Sequence, residues 1–478
     1  MKIKKILYVT SECSGFQSSG GLAEVAGSLP QAIQNANKSY KVKVVMPLYK
    51  KIREAYGHEL KYVGNKNVVL AWRSLYCGVF TLKKNGIDYY FIDNKYYFDR
   101  ENLYGYGDDG ERFAFFSKAI FAMMDITKFH PDIIHTNDWH SALVNIYLDV
   151  LYKKQGFLMD IKSVFTIHNI EYQGIYGIDF MEDVIGIDRY FTGILEYNGL
   201  VNLIKGAIVC SDLVTTVSPR YARELQTSQF ACGLENITRL NNSKMIGIIN
   251  GINVEAYNPS DDKFIYANYD NLDFSNKSKN KEALQKELGL EINKDKPMIS
   301  FIARLVGHKG IDLVIEKFDE LMKLDLQFVL LGMGDEAYQN KLIELGNKYQ
   351  DKARILIDYN NALSRKIYAA SDLFLMPSKF EPCGLSQMIA SRYGAFPIVR
   401  ATGGLFDSIK DYNDGEGNGF VFREYDANEM LTKIKEALNC YNDLDKRNKL
   451  IKKVMEVDFS WNASALNYIE AYKKLLSK

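Results

Sequence analysis

No stretch of this chain is apolar for long enough to cross a membrane; a spanning helix needs about 20 apolar residues. The start, Met1-Lys2-Ile3-Lys4-Lys5-Ile6-Leu7-Tyr8-Val9-Thr10, is basic and then apolar. Its apolar run is too short for a signal peptide and passes straight into polar residues. An excess of one charge is also missing. The 60 basic and 59 acidic side chains leave a net charge of +1, which argues against a dedicated nucleic-acid binder. Cysteine is sparse. Cys13, Cys77, Cys210, Cys232, Cys383 and Cys440 form no CxxC pair, so a cytoplasmic protein with reduced thiols is expected. The GxGxxG fingerprint is absent, which counts against NAD.

What the chain does have is length and alternation. Its 478 residues are too many for a single core, so two domains are expected. Short apolar runs read as strands at Ile6–Thr10, Val42–Met46, Tyr89–Ile92, Asp132–His135, Ser163–Ile167 and Leu213–Val217. Between them lie segments with helical spacing, such as Phe113–Met124 and Ser141–Tyr152. A second series runs through Met298–Ala303, Phe328–Leu331, Ile355–Ile357, Leu373–Met376 and Pro397–Val399. The alternation predicts two doubly wound parallel sheets with helices on both faces, an α/β fold. The polar stretch Asn258–Lys281 reads as an interdomain connection or surface excursion.

The chemistry gathers where predicted strands end, as open α/β sheets place their ligands. After Leu373–Met376 the chain stops at Pro377, passes Glu381, and restarts as a helix at about Gly384. Such a helix start suits a phosphate, and an acid just before it suits hydroxyls. Local pattern alone leaves open an ordinary strand–turn–helix with a solvated Glu. Arg304 ends another strand, and Lys309 opens the next helix beside Gly310. Two cations so placed would both face a phosphate, Arg as a fork and Lys as a point charge. Glycine loops stand at Gly20-Gly21, with a helix from about Gly21, at Gly332–Gly334, and at Thr402-Gly403-Gly404. His135-Thr136-Asn137-Asp138-Trp139-His140 fits no standard metal spacing, and no metal is expected. His168, beside Asn169 and near Gln173, is open to a structural or a functional reading.

Together these motifs resemble the bacterial glycogen and starch synthases, retaining glycosyltransferases with two Rossmann-like domains facing a cleft (the GT-B fold). The resemblance runs nearly end to end. It includes GGL at Gly20–Leu22, NDWH at Asn137–His140, TIHNIEYQG at Thr166–Gly174, TVSPRYARE at Thr216–Glu224 and NGI at Asn250–Ile252. It continues with ARLVGHKG at Ala303–Gly310, FEPCGL at Phe380–Leu385, TGGL at Thr402–Leu405 and DFSW at Asp458–Trp461. The chain departs from the family at Ser18, where a lysine is usual, and at Glu24 and Asn253, where aspartates are usual. His308 replaces a glutamine and Lys379 an arginine.

The resemblance implies transfer of glucose from ADP-glucose to the non-reducing 4-hydroxyl of an α-1,4-glucan, with retention. ADP-glucose is then a substrate, and no cofactor, nucleic acid or membrane partner is implied; the protein is a monomer or a homo-oligomer. It assigns catalysis to Arg304, Lys309, Glu381 and His168. Arg304 and Lys309 would hold the diphosphate, Glu381 the glucose hydroxyls, and the N–H groups near Gly384 and Leu385 a phosphate. His168 would contact the glucose, Asn250 would lie in the cleft, and Tyr359 would pack on the base. Further substrate contacts fall to Ser18, Gly20, Gly21, Glu24, Asp138, Asn169, Cys383, Thr402, Gly403 and Gly404. The implied domains are 1–255, 256–457 and a helix in 458–478 that returns to the first. That helix, about Ala463–Leu476, has Leu466, Ile469, Tyr472 and Leu475 at helical spacing. A weakened glucan-binding paralogue, or a related transferase with another donor or a small acceptor, stays open as the alternative.

Overall fold

The computed structural model describes residues 3–153, 156–412 and 416–477. The expected domain limits at 1–2 and 478 therefore lie outside the described residues. The chain divides into two compact units, Met1–Ile248 with Trp461–Lys478 and Ile249–Ser460. Both are α/β. The division at Ile248/Ile249 puts Asn250 in the second unit, where Ile252 N–H donates to Phe459 O at 2.8 Å.

The sheet of the first unit has the strand order Met245–Gly247, Leu213–Thr216, Lys162–Ile167, Ile133–Asn137, Lys4–Val9, Tyr40–Pro47, Ile87–Asp93, Arg73–Lys84, Lys61–Leu70. The first seven strands of that order are parallel. Their apolar side chains are buried by helices, as a parallel sheet requires. The expected all-parallel sheet carries an antiparallel edge, because Lys61–Leu70 and Arg73–Lys84 form a hairpin on it. Lys61–Leu70 is exposed along most of its length, so no apolar run marks it. The chain builds outward from Lys4–Val9 to Tyr40–Pro47 and Ile87–Asp93, then returns to pair Ile133–Asn137 on the other side. That reversal opens a crevice at the carboxyl ends of these two strands.

The helix Trp461–Leu476 belongs to the same unit and packs on the helix Gly21–Ala36. Its buried face uses Ala465, Tyr468, Ile469, Tyr472 and Leu475, whereas Leu466 is 59% exposed. Leu466 is therefore removed from the expected buried stripe. Tyr468, which the expected stripe omits, takes a core place.

The second unit holds a six-stranded parallel sheet ordered Ala353–Leu356, Gln327–Leu331, Met298–Ile302, Leu373–Met376, Phe396–Arg400, Phe420–Phe422. Its reversal lies between Met298–Ile302 and Leu373–Met376. The strands that precede Arg304 and Glu381 are thus neighbours. The stretch Asn258–Lys281 is less superficial than expected. Its end opens the helix Lys277–Leu288, and Asp262, Lys277, Asn280 and Lys281 are buried. They are tolerated because each has a partner. Asp262 pairs with Arg365 at 3.1 Å, and Lys281 with Asp372 at 2.6 Å. Lys277 donates to the Ala369 and Tyr393 carbonyls at 3.0 and 2.8 Å.

Candidate active site

In the second unit, three loops are locked together at the switch point. The buried strand Leu373–Met376 ends at Pro377, and the following loop carries Glu381. Glu381 Oε2 accepts from Lys309 Nζ at 2.6 Å and from Ser378 Oγ at 3.0 Å. Backbone bonds hold the loops in that pairing: Lys379 N–H donates to His308 O at 2.9 Å. Gly310 permits the approach. It sits at φ +74°, and a Cβ there would lie 2.2 Å from Pro377 O.

The two expected phosphate cations are not equivalent. Lys309 lies in the turn Gly307–Lys309, before a helix that starts at Ile311, and its side chain is 17% exposed against the buried Glu381. Arg304 is exposed and makes no side-chain hydrogen bond or ion pair among the described residues. Arg304 is therefore an exposed fork without a side-chain partner among the described residues, and Lys309 a point charge held in place by Glu381.

The third loop enters through glycine. A Cβ on Gly404 would lie 2.2 Å from Cys383 O, and one on Gly403 would lie 2.0 Å from Glu381 O. Gly404 N–H donates to Pro382 O at 3.1 Å. The paired glycines of TGGL are thus what lets that loop pack on FEPCGL. The helix after Glu381 starts at Ser386 rather than near Gly384, and Gly384 itself is at φ +74°. The N–H groups of Gly384 and Leu385 have no acceptor among the described residues. Cys383 is buried, and burial pushes its thiol up to about 12 despite the Asn250 backbone N–H at its sulfur. Asn250 is buried with Oδ1 unpartnered among the described residues, and Thr402 is buried. Tyr359 is 88% exposed, an open face for stacking.

In the first unit, the loop after Lys4–Val9 contains Ser18 and Gly20 and runs into Gly21, the first residue of the helix Gly21–Ala36. All three are exposed, and a Cβ on either glycine would meet nothing within 4 Å. No packing demands glycine there, so these two positions leave open space in front of the helix Gly21–Ala36. Glu24, in its first turn, accepts from Ser14 Oγ at 2.9 Å. Asp138 is buried at φ +54°, a region that non-glycine residues seldom adopt. Its Oδ1 accepts the backbone N–H groups of His168 at 2.7 Å and Asn169 at 3.4 Å. Burial raises the Asp138 carboxyl to about 7, and those amides lower it in part. His168 follows the strand Lys162–Ile167, with Nε2 2.9 Å from Asn137 Oδ1. The residue is half-buried, and burial holds the imidazole pKa down to about 3. Asn169 Oδ1 caps its own turn, accepting from Glu171 N–H at 3.0 Å.

The other two histidines near Asp138 have structural partners. His135 is buried between Tyr472 Oη at 2.7 Å and Thr166 Oγ1 at 2.5 Å. His140 stacks on Tyr104 at 4.4 Å. Among the described residues no group of three His, Cys, Asp or Glu side chains could hold a metal ion.

Sequence reasoning passes over two supporting residues. Ser378 positions Glu381. Glu12 is buried, and its Oε2 takes the Ser19 N–H and, at 2.8 Å, the Ser19 hydroxyl, holding the exposed glycine loop. An acid two residues beyond the strand read at Ile6–Thr10 is the signal that marks Glu12.

The starch synthase catalytic domain model matches residues 5–240, and the glycosyl transferases group 1 model matches residues 282–456. Glycogen synthase from Geobacillus thermodenitrificans is 43% identical over 99% of this chain and 98% of its own length. That of Lactobacillus acidophilus is 44% identical over 99% and 100%. Among solved structures, the catalytic domain of starch synthase IV from Arabidopsis thaliana, bound to ADP and acarbose, superposes with a TM-score of 0.90. It is 34% identical and covers both chains fully. A sucrose-phosphate synthase from Thermosynechococcus elongatus shares the fold alone, with a TM-score of 0.61 at 17% identity over 99% of each chain. With curated glycogen synthases aligned over almost its whole length, the chain belongs to the glycogen and starch synthase family of GT-B glycosyltransferases.

Proposed function

We propose that this protein transfers glucose from ADP-glucose to the non-reducing 4-hydroxyl of an α-1,4-glucan, with retention of configuration. The observation that carries the reading is the Lys309–Glu381–Ser378 cluster, built at the switch point of a chain that belongs to this family. The starch synthase it resembles was solved with ADP and acarbose, a nucleotide and a sugar-like ligand. ADP-glucose enters as a substrate, and the reading includes no resident cofactor.

As the glycosidic bond breaks, negative charge grows on the departing diphosphate. Lys309 and Arg304 stabilise it, Lys309 with little reorganisation because Glu381 already fixes its position. Glu381 Oε1 has no partner among the described residues, so it can accept from a glucose hydroxyl while Oε2 keeps Lys309. The free N–H groups of Gly384 and Leu385 are donors for a phosphate oxygen. His168 meets the glucosyl group, Tyr359 the base, and Ser18, Gly20 and Gly21 lie on the glycine loop. The sequence offers no obvious buried nucleophile, and the acceptor hydroxyl attacks from the face the diphosphate leaves.

The test is turnover with glycogen and ADP-glucose, followed by ADP release, against UDP-glucose at equal acceptor. A higher kcat/KM with ADP-glucose is expected. A clear preference for UDP-glucose overturns the donor assignment, and no release from either donor overturns the enzyme reading.

A further inference from the structure

His168 is held through a side chain to which the family resemblance gives no role. Its Nε2 lies 2.9 Å from Asn137 Oδ1. Which end of that amide is oxygen is settled by its other neighbours. The second amide atom lies 2.9 Å from the Val9 carbonyl oxygen, which can only accept, so it is the NH2 group. The first is then the oxygen, and it also accepts from Tyr8 Oη at 2.9 Å. An amide oxygen cannot donate, so the hydrogen between Asn137 and His168 belongs to Nε2. In a neutral imidazole the other nitrogen is then a bare acceptor.

Three further features keep this arrangement in place. Tyr8 and Asn137 are fully buried, so neither can exchange its partner for water. The His168 backbone is pinned by the Asp138 carboxylate at 2.7 Å, which limits how the ring can swing. His168 Nδ1 has no hydrogen-bond partner among the described residues. Among the described residues, the Asp138 carboxyl bonds the His168 backbone, the Tyr8 hydroxyl bonds its partner Asn137, and the His135 imidazole lies near enough to feel the charge of the ring.

We propose that Asn137 is a positioning residue that fixes His168 as the Nε2–H tautomer, leaving Nδ1 as the acceptor for a sugar hydroxyl. The second half rests on the reading of His168 as a glucose contact. The first half does not. A ring fixed this way presents a lone pair rather than a proton, so it favours a ligand group that can donate. The hydrogen bond from Tyr8 holds the Asn137 oxygen toward the ring, and the Val9 carbonyl prevents the amide from turning over.

The tautomer is read directly in the full-length protein labelled with 15N-histidine, by two-dimensional multiple-bond 1H–15N spectra, with His168→Gln used to assign the resonances. A pyrrole-type Nε2 and a pyridine-type Nδ1 at neutral pH are expected. A pyrrole-type Nδ1 overturns the proposal before any variant is made. The second measurement uses Asn137→Asp, which keeps the acceptor toward Nε2 and adds charge, at the loss of the N–H that Val9 O accepts. The carboxylate should hold His168 as an imidazolium, turning Nδ1 into a donor. The variant should lose about tenfold or more in kcat/KM near pH 6 and recover as pH rises, a limb the wild type lacks. A uniform loss at all pH values, with His168 still neutral in the spectra, means a merely structural role and overturns the positioning claim. Normal turnover of His168→Ala together with the Nε2–H spectrum supports the tautomer and overturns the glucose contact instead.

Discussion

Removing the Lys309 ammonium should have two separable consequences, because this cation has two partners to serve. One, under the proposed function, is the diphosphate. Loss of one preorganised charge stabiliser costs about 10²–10³ in kcat, or roughly 3–4 kcal/mol. The other is Glu381, whose buried carboxylate lies 2.6 Å from Nζ and keeps only Ser378 at 3.0 Å once Nζ is gone. Breaking a fully buried pair costs about 3–5 kcal/mol. Lys309 is 17% exposed, so water reaches the gap and about 1–3 kcal/mol is the better figure. At roughly 2–4 °C per kcal/mol for a domain of this size, Lys309→Ala should lower the melting temperature of the second unit by several degrees. Arg304→Ala should lose a similar factor in kcat with almost no change in melting temperature, since Arg304 is exposed and unpaired among the described residues. Adding Glu381→Gln to Lys309→Ala should restore stability, by removing the orphaned charge, without restoring turnover. The checks are calorimetry and initial rates of ADP release at saturating donor. Near-normal turnover of either single mutant refutes its role at the diphosphate. Equal melting temperatures for the two single mutants refute the claim that Glu381 depends on Lys309.

Ser18→Lys, on an exposed loop, should lower KM for the donor and leave the melting temperature unchanged; an unchanged or raised KM shows that the loop does not reach the phosphates. Gly310→Ala should destabilise the second unit by more than 1 kcal/mol, about the strain of a positive φ plus a clash 2.2 Å from Pro377 O, and should cut kcat by separating the Lys309 turn from Glu381. Acid should destabilise the first unit. His135, His140 and His168 are held near 3 in the fold by burial and take up protons on unfolding once pH drops below about 6.5, whereas Asp138, raised to about 7, releases one. The sign is a net uptake of about two protons between roughly pH 4 and 6.5, so stability is highest above that window and falls as pH falls through it. Proton uptake measured by calorimetry in buffers of different ionisation enthalpy checks it, and net release in that window would contradict it.

The strands that precede the key loops were legible because they are buried on both faces and must be continuously apolar. Leu373–Met376 is read residue for residue, and Phe328–Leu331 misses only Gln327, a buried amide paired with Gln285 at 2.8 Å. The hairpin Lys61–Leu70 with Arg73–Lys84 was not legible. Lys61, Asn65, Lys66 and Asn67 are exposed, and the strand exists because it pairs with its neighbour. Phe420–Phe422 is too short to stand out until Phe396–Arg400 pairs with it. The helix start at Ser386 rather than Gly384 depends on a positive φ that no pattern of residue types reports.

The sequence by itself determined the α/β class, the two-sheet order of strands and helices, and the motifs that place the chain in its family. These follow from local periodicity and from residue types at fixed spacing. What it could not determine is which side chains meet. Lys309 and Glu381 are 72 residues apart, and Asn137 and His168 are 31 apart. Lys309 and Glu381 meet because the second sheet reverses its direction of growth between Met298–Ile302 and Leu373–Met376, whereas Asn137 and His168 meet because a crossover returns Lys162–Ile167 to pair beside Ile133–Asn137. The same reversal makes Lys309 a paired cation and leaves Arg304 a free one, although both stand on one short turn of sequence. Burial, pairing and tautomer are properties of the surroundings of a side chain, and only the tertiary structure supplies those surroundings.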